Sequence, residues 1–225
     1  MQPEINHLIS EPREGVDCQI CGNEMTSGKC LRCEEQTKRV REFGIRCLGG
    51  LRAFDHFTAE RLRPSQIQKP AYDAACQFNA ASENLYLFGP VGSGKSHIAT
   101  IAARRCLGKT SIQTLKPSEI SRMVRGAGSA SDEQGVVKSI FSTRILVLDD
   151  LGTAKYTEFL CSIIYEIIED RYQNHPGGLI VTSNLSLCDL AETMGDDRVS
   201  SRLAELCRGK IFSMVGETDH RIVRP

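Results

Sequence analysis

Apolar positions in this chain gather into short runs separated by segments of helical period. Runs at residues 85–88, 111–115, 144–149, 179–183 and 210–215 are short, apolar or alternating, and predict five strands. Between the third and fourth runs, Leu160, Ile163, Ile164, Ile167 and Ile168 recur at intervals of three and four, which puts one apolar stripe on a helix. Strands alternating with such helices predict an α/β fold, a five-stranded parallel sheet flanked by helices. Residues 1–44 differ: they are polar, rich in clustered cysteine and poor in long apolar runs. The break near Gly49-Gly50 predicts a small N-terminal module over 1–48 and a larger domain over 49–225.

Composition narrows the function classes. A length of 225 residues is room for one ordinary domain and a small appendage. The 28 lysines and arginines are balanced by 28 aspartates and glutamates, so the chain is not polybasic and nucleic-acid contact requires a local patch. With 40% hydrophobic and 25% charged residues the chain can bury a core, which excludes disorder as its main state. No apolar run approaches the ~20 residues of a membrane span, and the first fifteen residues lack a basic region followed by an apolar one. A cytoplasmic protein with no membrane partner is expected.

The candidate chemistry begins after the first predicted strand. Gly89, Pro90, Val91, Gly92, Ser93, Gly94, Lys95 and Ser96 have the GxxxxGK[ST] spacing of a phosphate-binding loop, and His97 opens the helix that follows. Glycines let successive backbone amides turn inward around phosphates, and the helix N-terminus adds partial positive charge. Lys95 would reach the β- and γ-phosphates, and the Ser96 hydroxyl would hold Mg²⁺. The third run ends in Asp149 and Asp150, two carboxylates that are costly side by side without a cation. Asp149 is assigned to the metal and Asp150 to the attacking water; a plain turn through Asp150, Leu151 and Gly152 is the structural alternative. Phe54 and Phe57 could pack on an adenine or in the core.

Two further patterns carry chemistry. Cys18, Cys21, Cys30 and Cys33 form CxxC-x8-CxxC, two knuckles able to aim four thiolates at one zinc ion. Some forty residues hold too little core to fold unaided, so zinc would supply the module's folding free energy. Cys47, Cys76, Cys106, Cys161, Cys188 and Cys207 stand singly and read as small core residues. Lys116 precedes a short predicted helix in which Ile120, Met123 and Val124 share one face while Arg122 and Arg125 project from the opposite one. Those three cations are the candidate DNA contacts, with a merely solvated helix face as the alternative reading.

GPVGSGKSH, ILVLDDLG, LIVTSNLSL and DDRVSSRL, in this order and at these intervals, make the chain resemble the DnaC/IstB-type AAA+ ATPases, the helicase loaders and transposition helpers. The resemblance spans about 54–221 and implies an AAA+ P-loop fold in compact form, without a C-terminal lid. It implies that Asn184 is the sensor I residue, Arg202 the arginine finger acting on a neighbouring subunit's ATP, and Arg221 the sensor II arginine. It further implies that the Arg122 region faces DNA in the central pore, that ATP drives homo-oligomerisation, and that the N-terminal module grips the helicase. The family's usual Asp-Glu pair is Asp149-Asp150 here, which predicts slow hydrolysis. The leading expectation is an ATP-dependent replication factor that loads a replicative helicase onto single-stranded DNA. Two others stand beside it: a transposition helper that assembles on duplex DNA and recruits a transposase, and a zinc adaptor that binds nucleotide without hydrolysing it.

Overall fold

The computed structural model describes residues 56–79, 81–106, 110–174, 177–217 and 219. Five strands form one sheet: β1 (Leu85–Phe88), β2 (Ile112–Leu115), β3 (Ile145–Leu151), β4 (Leu179–Ser183) and β5 (Ile211–Ser213). Their spatial order is β2-β3-β4-β1-β5, and every pairing is parallel. Parallel neighbours need helical crossovers, which the periodic segments between the runs supply.

The alternation of side chains along each strand sorts them into two cores. Leu85, Leu87, Ile145, Val147 and Ile180 face one way and pack with Ala71 and Ala75 of α1 (Lys69–Gln77) and with Ile98, Ala99 and Ala102 of α2 (Lys95–Arg104). Tyr86, Leu146, Leu148, Leu179 and Val181 face the other way. Against them lie α3 (Pro117–Arg125), α4 (Ala130–Phe141), α5 (Glu158–Asn174), α6 (Leu187–Met194) and α7 (Arg198–Leu206). The five apolar residues of the predicted stripe are all buried on α5. One turn further, Arg171 occupies the same stripe, and its guanidinium donates to the Ile140 carbonyl at 3.0 Å and the Arg144 carbonyl at 3.4 Å. Burial pulls its pKa down to about 10.

Strand ends and one helix face differ from the sequence expectation. Strand β3 runs two residues past the predicted end at 149, because a register shift between Leu148 and Leu151 lets it pass the acid pair and pair again at Ser183. Strand β5 is shorter than 210–215, since as an edge strand it has only Tyr86, Leu87 and Phe88 of β1 to pair with. On α3, Ile120 and Val124 are buried, but Met123 is 36% exposed: it flanks the apolar stripe instead of belonging to it. Cys106 and Cys207 are buried as expected, whereas Cys188 is exposed.

Candidate nucleotide site

The carboxyl ends of β1, β3 and β4 open on one cavity of about 760 Å³, a size suited to a nucleotide. Gly92, Gly94, Lys95, Ser96 and His97 line it from the loop after β1, Asp150 and Thr153 from β3 and its turn, and Asn184 from the end of β4. The loop conformation follows from its glycines. Gly94 has φ +90° and a Cβ there would lie 2.9 Å from the Gln68 amide nitrogen; Gly92 has φ +77° and a Cβ would collide with the Asp219 carboxylate. The Gln68 amide donates to the Ser93 carbonyl at 2.9 Å, bracing the loop from behind with a side chain fully buried.

Lys95 folds back onto its own loop, donating to the carbonyls of Gly89 at 2.8 Å and Pro90 at 2.7 Å. An incoming phosphate would exchange those acceptors for its own oxygens. Asp149 is almost completely buried; it accepts hydrogen bonds from Thr182 Oγ1 at 2.6 Å and Ser96 Oγ at 3.4 Å. Burial raises its pKa, the Thr182 bond works against that rise, Asp150 adds to it and Lys116 opposes it. Asp150 has φ +58°, a left-handed conformation that aspartate tolerates better than most residues and that turns its carboxylate into the cavity. Its backbone amide donates to Thr182 Oγ1 at 3.0 Å, so Thr182 joins both acids.

Lys116 lies here and not beside Arg122 and Arg125. Its Nζ is 2.7 Å from Asp150 and 3.4 Å from Asp149, and these carboxylates, above all the Asp150 bond, raise its pKa against the cost of burial. The oxygen donors Ser96 and Asp149 are the hard ligands that Mg²⁺ prefers, and the cation already drawn to Asp149 shows that the pair calls for positive charge. Apolar Phe57, Leu62 and Val91 with cationic Arg61, Arg63 and Lys95 suit a base, ribose and phosphates. Phe57 stacks on His97 with centroids 4.7 Å apart, and His97 Nε2 contacts the Thr58 carbonyl at 3.0 Å.

Other sequence-derived residues lie elsewhere. Arg202 on α7 donates from Nε to Glu169 at 2.7 Å and lies over the Tyr172 ring, outside the cavity lining. Arg198 is paired with Asp196. Arg122 and Arg125 are exposed on α3. Phe54, Arg221 and the four clustered cysteines lie outside the described residues, as does the 1–48 module; among the described residues no three or more His, Cys, Asp and Glu side chains converge as a metal-binding cluster. Sequence reasoning missed Gln68, Thr182 and the inward turn of Lys116. Thr182 stood two positions before Asn184 on the strand next to the acids and was findable from register; Gln68 carried no local signal.

The family profile of the IstB-like ATP binding protein matches residues 30–208. The insertion sequence IS21 ATP-binding protein of Pseudomonas aeruginosa is 24% identical over 135 residues, 59% of this chain and 49% of the relative, so the chain spans about half that protein's length. Among solved structures, the crystal structure of the DnaC helicase loader superposes with TM-score 0.58 at 22% identity, over 72% of this chain and 98% of that one. The replication initiator DnaA bound to AMPPCP and single-stranded DNA gives TM-score 0.58 at 18% identity, over 70% of this chain and 49% of that one. These likenesses bear on the fold, a five-stranded parallel AAA+ P-loop sheet flanked by helices. Loop, acid pair and profile together make this chain a member of the IstB-like ATP-binding family.

Proposed function

We propose that the chain is a slow ATPase used as a switch, which assembles on DNA with ATP between subunits and loads a replicative helicase onto single-stranded DNA. The observation that carries the ATPase reading is the convergence of Lys95, Ser96, Asp150 and Asn184 on one cavity, with Asp149 buried behind Ser96. Bound Mg²⁺, held through Ser96 and Asp149, would supply neutralising charge at the phosphates. Lys95 binds the β- and γ-phosphates, Asp150 accepts a proton from the attacking water, and the Asn184 amide orients that water. Because Lys116 engages Asp150 at 2.7 Å, the carboxylate is free for water only when that contact loosens, consistent with slow turnover.

In this reading Arg202, and Arg221 beyond the described residues, stabilise charge on the γ-phosphate, Arg202 from the neighbouring subunit. Arg122 and Arg125 contact DNA phosphates. Residues 1–48 form a module whose Cys18, Cys21, Cys30 and Cys33 hold zinc and which grips the helicase, while 49–225 is the ATPase domain. Coverage of nearly the whole DnaC loader chain supports this order of preference. The IS21 relative favours a second reading, a helper that assembles on duplex DNA and recruits a transposase.

Nucleotide binding and hydrolysis by two variants test the reading. Lys95→Ala should lose nucleotide binding. Asp150→Asn should keep it, because Asp149 and Ser96 remain, while hydrolysis falls by about 100-fold or more. A wild-type rate in Asp150→Asn would remove Asp150 as the base, whereas nucleotide binding without turnover in the parental chain would favour an adaptor that binds nucleotide for its fold. Stimulation of hydrolysis by single-stranded but not duplex DNA supports the loader; the reverse supports the helper.

A further inference from the structure

The two arginines of α7 are anchored in different ways. Arg198 gives its Nε and Nη2 to Asp196, two residues before it, so its pairing is local to the start of the helix. Arg202 is held across the gap between helices. Its Nε donates to Glu169 of α5 at 2.7 Å, its Nη1 is 3.5 Å from the Glu205 carboxylate one turn along α7, and its guanidinium lies 4.4 Å from the centre of the Tyr172 ring. The groups that hold it are themselves held: Gln173 donates to Glu169 at 2.7 Å, and the Tyr172 hydroxyl donates to Glu205 at 2.8 Å. Glu169, Tyr172 and Gln173 lie within one turn of α5, at spacings of three and four from Glu169, so one helix face supplies the carboxylate, the ring and the amide. The Nη2 of Arg202 has no hydrogen-bond or ion-pair partner among the described residues, on a side chain 33% exposed.

The packing of the two helices does not need this arrangement. Val199 and Leu203 of α7 are buried in the same core as Ile164, Ile167 and Ile168 of α5 and join the helices without Arg202. An ordinary surface pair is a loose contact between two flexible side chains and contributes little to stability. Here the stack on the ring and the two carboxylates fix the plane of the guanidinium as well as its position. A group that stabilises charge on a transferring phosphoryl group must already be aimed when the reaction begins, because reorganising it at that moment costs the rate it would supply. We propose that Glu169 and Tyr172 are positioning residues for the arginine finger: they lock the Arg202 guanidinium so that its unheld Nη2 is presented to the γ-phosphate of a neighbouring subunit's ATP. This rests on the reading of Arg202 as a finger acting in trans and adds to it the two residues of α5 that aim it.

Mixed full-length chains test the role by where the substitution sits. In a mixture of Lys95→Ala and Arg202→Ala chains, hydrolysis comes from interfaces at which the Lys95→Ala chain gives the finger and the Arg202→Ala chain holds ATP. Glu169→Ala added to the finger-giving chain should lower the restored rate about tenfold with the KM for ATP unchanged, and Tyr172→Leu there should act in the same direction. Glu169→Gln, whose amide oxygen still accepts from Nε, should recover most of the loss. Glu169→Ala added to the ATP-holding chain, where no guanidinium remains to be placed, should have no such effect. An equal loss on either chain would mean that Glu169 acts on folding or assembly, and no loss on either would leave a plain surface pair; both outcomes overturn the proposal. If the two chains restore no hydrolysis even without a further substitution, the trans reading of Arg202 fails and takes the positioning role with it.

Discussion

Thr182 shows how much one hydroxyl carries. It donates to Asp149 at 2.6 Å and accepts from the Asp150 amide at 3.0 Å, linking two carboxylates that would otherwise repel in a poorly solvated corner. Thr182→Val keeps the shape and removes both bonds. Leaving a buried carboxylate and a buried amide underpaired should cost about 1–3 kcal/mol in chemical denaturation. It should also push the Asp149 pKa further up, since the Thr182 bond is among the influences now holding it down. Nucleotide with Mg²⁺ should recover part of the loss by binding only the folded chain; equal stability of variant and parent would mean that Thr182 is a spectator. The loop glycines, Lys95, Ser96 and the acid pair were legible in the sequence because each is local to a strand end. Lys116 was not. Its position before a basic helix suggested DNA, but parallel pairing of β2 with β3 brings its ammonium to the acid pair.

At the scale of elements, the weakest join is the edge strand. Strand β5 has three residues and pairs only with β1, and Lys210 just before it reaches Glu83 just before β1 at 3.0 Å. Burial would raise the Glu83 pKa, but the Asn79 amide and Lys210 outweigh it and the net shift is downward. A carboxyl depressed in the fold adds stability above its unfolded pKa, and that stability disappears as pH falls through the folded value. Glu83→Gln should therefore cost about 0.5 kcal/mol at neutral pH, the screened value for a partly exposed pair, and nothing once the pH has fallen below the depressed folded value. Denaturation curves at the two pH values measure it, and a gap that persists in acid would assign the cost to the Asn79 turn. Helix α5 was the best-read element, since five buried residues at helical spacing have no other use. Arg171 was illegible there: a charge at a core position is intelligible only once the Ile140 and Arg144 carbonyls are known to meet it.

At the scale of the whole molecule, Arg202 defines the question. In this chain it is held by Glu169 on the α5–α7 surface and takes no part in lining the nucleotide cavity. A finger that acts in trans predicts complementation. Lys95→Ala and Arg202→Ala chains should each be nearly inactive, and mixing them should restore a fraction of hydrolysis through interfaces that pair an intact loop with an intact arginine. Normal turnover by Arg202→Ala alone would make the contact with Glu169 a plain surface ion pair. The N-terminal module has its own test: elemental analysis of chain purified without added metal should find one zinc per chain, lost with Cys18→Ser and Cys30→Ser together. The sequence by itself determined the parallel α/β class, the phosphate loop, the acid pair and the apolar stripe, because each depends on neighbours within a few positions or on a strict period. Only the tertiary structure decided the strand order, the turn of Lys116 toward Asp150, the bracing of the loop by Gln68 and the buried arginine. Those depend on which distant segments the crossovers bring together, and a periodic pattern says that a face is covered without saying by what.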